Sequence, residues 1–198
     1  MEDLNLRWFA EINAGANLHG YHLWLAIFAA KYLIFFMVLF LIGMWLWGSR
    51  NQRVTLFITF VAVLNALLIN WLISYVWFHP RPFVLGIGNT YLAHAPDGSF
   101  PSDHATVLFT ISLVFLLRNG MRMLGLMMLL LALWVAWARI YVGFHFPFDM
   151  FGSLMVSIVS AGILISQSHF IEHYLFPSVE YIYQKIFSKA IRLKWVNA

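Results

Sequence analysis

The sequence predicts an all-α fold: a polytopic membrane helix bundle of about five transmembrane helices, preceded by an interfacial helix. Two observations predict it. Hydrophobic residues make up 62% of the 198 residues and charged ones only 10%, against roughly 25% charged in a soluble domain. A chain this small cannot bury so much apolar surface in a water-facing fold, because its surface-to-volume ratio is too high. The apolar residues also come in long runs, and about 20 of them suffice to cross a hydrocarbon core of ~30 Å.

The elements follow in order. Leu4, Leu6, Trp8, Phe9 and Ile12 alternate with Glu2, Asp3, Arg7 and Glu11, the pattern of a helix lying in the interface. Those charges leave no basic start followed by an apolar core, so no cleavable signal is expected and the first span serves as its own signal. The first span is His22 to Trp47, interrupted by Lys31. The second is Val54 to Phe78, with Asn65, Asn70 and Ser74 as polar members. The third, Ala105 to Leu117, is short and is expected to start in the headgroup layer. The fourth is Met123 to Phe144 and contains Arg139; the fifth is Asp149 to Ser166. Residues 172–198 form a basic, aromatic-rich tail expected to lie along the membrane. With no internal repeat or low-complexity linker, residues 1–198 read as one domain, its chemistry-bearing motifs between 74 and 153.

Charge sets the expected topology. Arg50 and Arg53 lie between spans one and two, Arg118 and Arg122 between three and four, and Lys185, Lys189, Arg192 and Lys194 in the tail. Five spans put all of them on one side, which the positive-inside rule makes cytoplasmic, C-terminus included. The net charge of +4 is therefore a matter of topology and does not indicate a nucleic-acid partner. The acidic N-terminal segment, the loop from His79 to His104 and the turn from His145 to Asp149 fall on the extracytoplasmic side. The sequence has no cysteine, which excludes disulfides and thiolate metal sites.

Three clusters meet at that outer face: His79-Pro80-Arg81-Pro82, Pro101-Ser102-Asp103-His104, and Arg139 with His145 and Asp149. Singly, each has an ordinary reading. Arg139 can snorkel, Arg81 can be a loop cation, the histidines can be interfacial polar residues, and Asp149 can complement a helix start. Together they describe a phosphate site. Two guanidinium groups suit phosphate oxygens. Ser102, placed to N-cap the third span, adds a hydroxyl beside free backbone N–H groups. Two histidines supply a nucleophile and a proton donor for the leaving oxygen. Pro147 belongs in the first turn of a helix, so the Asp149 carboxylate can reach back to one nitrogen of His145 and fix its tautomer. No metal or other cofactor is needed for this chemistry.

At these residues the sequence resembles the type-2 phosphatidic acid phosphatase superfamily. That family's signature is Lys, six residues, Arg-Pro; then Pro-Ser-Gly-His; then Ser-Arg, five residues, His, three residues, Asp. Arg81-Pro82 matches the end of the first motif, Pro101-Ser102-Asp103-His104 the second except at its third position, and Arg139, His145 and Asp149 the third with both spacings intact. The resemblance implies a phosphohistidine mechanism. His145 attacks phosphorus with support from Asp149, His104 protonates the leaving group, and Arg81, Arg139 and Ser102 hold the phosphate oxygens. Water then hydrolyses the intermediate.

The departures point to one branch. Ser74 stands at the family's lysine position, Ala138 at its serine and Asp103 at its glycine. Together with Phe83 and the stretch Pro147 to Ser153, Ser74 and Asp103 resemble the undecaprenyl-diphosphate phosphatase, or bacitracin-resistance, branch. Lys31, roughly 12 Å into span one at 1.5 Å per residue, is a candidate replacement for the missing cation, and Ser74 and Asp103 are candidate substrate contacts. His79 and His94 are open between contacts to a second phosphate and ordinary loop histidines. The implied partner is a membrane lipid diphosphate, cleaved at the outer face of the bacterial cell membrane. A broader lipid phosphatase or a lipid phosphotransferase would use the same residues. A channel would instead spread polar residues through the membrane depth.

Overall fold

A computed structural model describes residues 2–197, and among them every regular element is helical. The helices are α1 (Glu2–Ile12), α2 (Tyr21–Lys31), α3 (Leu33–Trp47), α4 (Arg50–Val76), α5 (Asp103–Leu117), α6 (Arg122–Tyr141), α7 (Pro147–Ser166), α8 (Ser168–Phe170), α9 (Phe176–Ile186) and α10 (Ser188–Arg192). Helices α4, α6 and α7 are long and apolar enough to cross a membrane. The pair α2 and α3, bent by 49°, makes a fourth span if taken as one, and α5 is a shorter apolar helix. The chain is thus a multi-pass membrane protein with an all-helical bundle, and its elements fall within a few residues of the predicted spans.

Helix α5 is the centre of the bundle and packs against α4, α6 and α7; α2 lies on α6, α3 on α4, and α1 across the ends of α6 and α7. Burial from water cannot drive helix association inside a bilayer, where lipid tails are as apolar as leucine. Small and hydroxylated residues do so here. Ser153 Oγ donates to the Ser102 carbonyl (2.9 Å), Ser157 Oγ to that of Thr106 (3.0 Å), Thr110 Oγ1 to Ser157 Oγ (3.0 Å), and Ser160 Oγ to the Ala62 carbonyl of α4 (2.7 Å). Asn65 Nδ2 completes the α4–α7 seam on Ser160 Oγ (3.0 Å). The large apolar side chains point outward instead, as in Phe35, Leu39, Phe60, Trp71, Leu130 and Ile158.

The structure adds detail at three places. The first span breaks at Lys31–Tyr32, with no proline or glycine there. Arg139 Nη1 donates to the Ala30 carbonyl at 3.1 Å, and a side chain inserted into the hydrogen-bond ladder is a sufficient cause for a kink. The tail packs against the end of α3. Tyr183 Oη donates to the carbonyls of Asn197 (2.8 Å) and Leu46 (3.4 Å), and Trp47 Nε1 donates to that of Trp195 (2.8 Å). Arg53, expected in a loop, is inside α4 and buried, donating to the Gly48 carbonyl (3.0 Å) with its guanidinium over the Tyr183 ring (5.1 Å).

Candidate active site

The three clusters meet at one end of the bundle, around the His145 imidazole. Helix α6 ends at Tyr141, and the turn that follows carries Gly143 at φ 85°. A Cβ there would lie 2.3 Å from the Asn89 carbonyl oxygen, so both the left-handed backbone and the close approach of the 79–104 loop require glycine. This turn folds the chain back so that Phe144 N donates to the Arg139 carbonyl (3.0 Å), and His145 lands beside the arginine six residues earlier. Pro147 then opens α7 in its first turn, as expected.

His145 is 1% exposed and hydrogen-bonded at both nitrogens. Arg81 Nη1 donates to Nε2 at 2.8 Å and Arg139 Nη2 does so at 3.1 Å. A guanidinium has no acceptor, so Nε2 carries the lone pair and Nδ1 the proton. Nδ1–H faces the Ser99 carbonyl oxygen (2.9 Å) and Asp149 Oδ2 (3.2 Å). The tautomer follows from these four partners. Burial, with the Arg139 and Arg81 charges adding to it, holds the imidazole well below its ordinary pKa, so the ring is neutral. Asp149 Oδ2 also accepts from Phe146 N (2.8 Å) and Ser99 Oγ (2.5 Å), which locks the carboxylate under the ring.

The arginines are anchored in turn. Arg81 is 5% exposed, donates through Nε to Asp97 Oδ1 (2.7 Å), and reaches the Phe144 carbonyl (3.1 Å). Arg139 is 2% exposed and rests on the Ala30 carbonyl at the C-terminal end of α2, where helix geometry leaves unsatisfied oxygens and a partial negative charge. That end adds its partial negative charge to those of the Asp103 and Asp97 carboxylates, which also act on Arg139. Arg139 Nη2 also meets His94 Nε2 at 3.3 Å.

Ser102 occupies the N-cap position of α5 but does not cap it. Its hydroxyl makes no side-chain capping bond and is buried without a partner, a costly state that a ligand oxygen would relieve. His104 sits one residue inside α5, half-buried, within electrostatic reach of Arg139, His94 and Arg81. The other expected contacts are less direct. Asp103 is turned toward α4, where its Oδ1 accepts from Asn70 Nδ2 (2.9 Å). Ser74 is packed under the outer loop, so close that a Cβ on Gly98 would lie 2.2 Å from its Oγ. Lys31 is exposed, its ammonium over the Tyr32 ring (5.2 Å); the structure does not bring it to His145. The arrangement can therefore present an imidazole lone pair to a phosphorus atom whose oxygens are held by two guanidinium groups.

Sequence reasoning missed Ser99, Asp97 and Asn13. Asn13 clamps the loop to the bundle: its Nδ2 donates to the carbonyls of Asn89 (3.0 Å) and Tyr141 (3.1 Å), while its Oδ1 accepts from Asn89 N (2.7 Å). No motif marks these residues. The one signal for Asp97 was its place as the only carboxylate between Arg81 and Asp103.

The chain is similar to known proteins over most of its length. The chain is 38% identical over its whole length to a protein of Escherichia coli K12 provisionally named undecaprenyl-diphosphatase YbjG, covering 99% of that protein. It is 36% identical over 82% of its length to undecaprenyl-diphosphatase BcrC of Bacillus subtilis 168, covering 83% of it. Among solved structures, that of LpxE from Aquifex aeolicus superposes with a TM-score of 0.63 at 25% identity, over 82% of this chain and 95% of the other. The sequence profile of the PAP2 superfamily matches residues 54–172, a stretch that runs through every residue bonded to the His145 ring, and the chain belongs to the PAP2 superfamily.

Proposed function

We propose that this enzyme hydrolyses undecaprenyl diphosphate to undecaprenyl phosphate and inorganic phosphate, through a phosphohistidine on His145. The observation that carries the reading is the His145 ring, its Nε2 lone pair aimed between Arg81 and Arg139 and its Nδ1–H held by Ser99 and Asp149. The terminal phosphate takes the two guanidinium groups from Nε2 and receives the Ser102 hydroxyl. Nε2 attacks phosphorus as the bond to the bridging oxygen breaks, and His104 gives that oxygen a proton. The same residues, with water in place of the leaving group, return the histidine. Positioning and charge stabilisation supply most of the rate in phosphoryl transfer, and the site is built for both.

The names of the two relatives support the diphosphate substrate. Arg50, Arg118 and Arg122 sit at the bundle end opposite His145, which supports a site on the extracytoplasmic face of the cell membrane. There the enzyme would recycle the carrier lipid of cell-wall synthesis. The test is phosphate release by the purified protein in detergent with EDTA, from undecaprenyl diphosphate, undecaprenyl monophosphate and phosphatidic acid, with His145→Ala as control. Release from the diphosphate that disappears in the variant is expected. Equal release from all three would remove the carrier-lipid assignment, and release that survives His145→Ala would remove the nucleophile.

A further inference from the structure

We propose that His94 binds the second phosphate of a diphosphate, the one that stays on the lipid, and so makes the site prefer diphosphates to monophosphates. The proposal rests on the reaction proposed at His145.

Position is the first argument. Arg139 Nη2 lies 3.1 Å from His145 Nε2 and 3.3 Å from His94 Nε2, so one guanidinium nitrogen bridges the nucleophile and His94. An anion held by Arg139 lies against both rings. The lipid-bearing phosphate is the leaving group, and it departs on the side of His104, whose ring is within electrostatic reach of His94. The ring is also held in place. Phe144 packs on it with centroids 4.7 Å apart, and its Nδ1 faces the Ala95 carbonyl (3.0 Å) with Asp97 Oδ1 3.7 Å away. His79, by contrast, packs between Trp77 and Phe146.

Charge is the second argument. Arg81 and Arg139 match one phosphate, and Arg81 already shares its charge with Asp97. A diphosphate brings more negative charge than these two arginines match. His94 is the group that can respond. Burial, with the Arg81 and Arg139 charges adding to it, holds its pKa below the ordinary value, against the Ala95 carbonyl and the Asp97 carboxylate, so the ring is neutral before ligand arrives. The groups facing it are Arg139 on α6, His104 on α5, and Arg81 and Asp97 on the outer loop. A diphosphate neutralises the two arginines and adds an acceptor. One proton from the buffer then settles on Nε2, which releases Arg139 to the terminal phosphate and turns His94 into a donor to the other.

The test is calorimetric and needs no turnover. The full chain in detergent is titrated with inorganic phosphate and with methylenediphosphonate, a diphosphate that cannot be hydrolysed, in two buffers of different ionisation enthalpy. Wild type is expected to take up a proton with the diphosphonate in excess of that with phosphate. His94→Ala is expected to weaken diphosphonate binding by about tenfold or more, to abolish the excess uptake, and to leave phosphate binding within twofold, which also shows that the variant is folded. Equal weakening of both ligands would mean that His94 only holds Arg139, and no weakening of either would mean that it touches neither phosphate; both overturn the proposal. Failure of wild type to bind phosphate at all would instead overturn the reading of the site.

Discussion

Asp149→Asn separates two jobs that a carboxylate under an imidazole can do. One is to choose the tautomer and the other is to supply charge as the ring becomes cationic. In a serine-protease triad the corresponding amide costs about 10⁴-fold, because the tautomer is lost. Here Nδ1–H has a second acceptor, the Ser99 carbonyl oxygen at 2.9 Å, closer than Asp149 Oδ2 at 3.2 Å. The donors at Oδ2, Phe146 N and Ser99 Oγ, can both use an amide oxygen in the same place. What the variant loses is the charge beside Nδ1–H. A hydrogen bond to a charged group contributes about 1.5–3 kcal/mol, and at 1.36 kcal/mol per tenfold this predicts a fall in kcat of roughly 10- to 150-fold with KM little changed. Phosphate release under saturating undecaprenyl diphosphate measures it, with His145→Gln setting the floor. A loss as deep as that floor would refute the claim that the Ser99 carbonyl holds the tautomer. A loss below threefold would refute any role for the Asp149 charge.

Other expectations follow from the same geometry. Because His145 is held neutral by burial and by two arginines, the acidic limb of kcat/KM assigned to it should lie below pH 6.5. In Arg81→Gln, where one of those charges is gone, that limb should move to higher pH; a shift to lower pH would contradict the assignment. Ser102→Ala removes a buried hydroxyl without a partner, so kcat/KM should fall about tenfold while the melting temperature stays level or rises. Gly98→Ala drives a methyl toward Ser74 Oγ and should cost roughly 1–3 kcal/mol of stability. Adding Ser74→Ala should recover most of that, as a thermal-melt double-mutant cycle would show. Ser157→Ala, at the α5–α7 seam, should cost about 0.6 kcal/mol and leave kcat unchanged.

The spans were legible because an apolar run of bilayer length is seldom anything but a membrane crossing. The active-site side chains were legible because arginine, histidine and aspartate are scarce in so apolar a chain. What stayed hidden works through main-chain atoms or common residues. Ser99 acts partly through its carbonyl, which every residue has. Ser102 looked like a cap, but its hydroxyl is withheld from the helix it precedes. Asn13 is an unremarkable asparagine until the fold brings Asn89 to it. The break at Lys31–Tyr32 carries no proline or glycine, since its partner lies on another helix more than a hundred residues away. Lys31 was conspicuous as a charge in an apolar run, yet the neighbouring carbonyl of Ala30 is the atom that reaches Arg139.

That carbonyl has a consequence for how the enzyme can change. An acidic side chain facing Arg139 would be open to loss by a single substitution and to neutralisation in acid. A peptide oxygen at a helix end is open to neither. The residues around the break can therefore drift, provided the helix still ends there and stays narrow enough to admit the guanidinium. Damage to this support should come from changes in chain length: one residue inserted or deleted between Ala26 and Lys31 would rotate the oxygen away from Arg139 and remove that hydrogen bond, although every residue of the motifs remained in place.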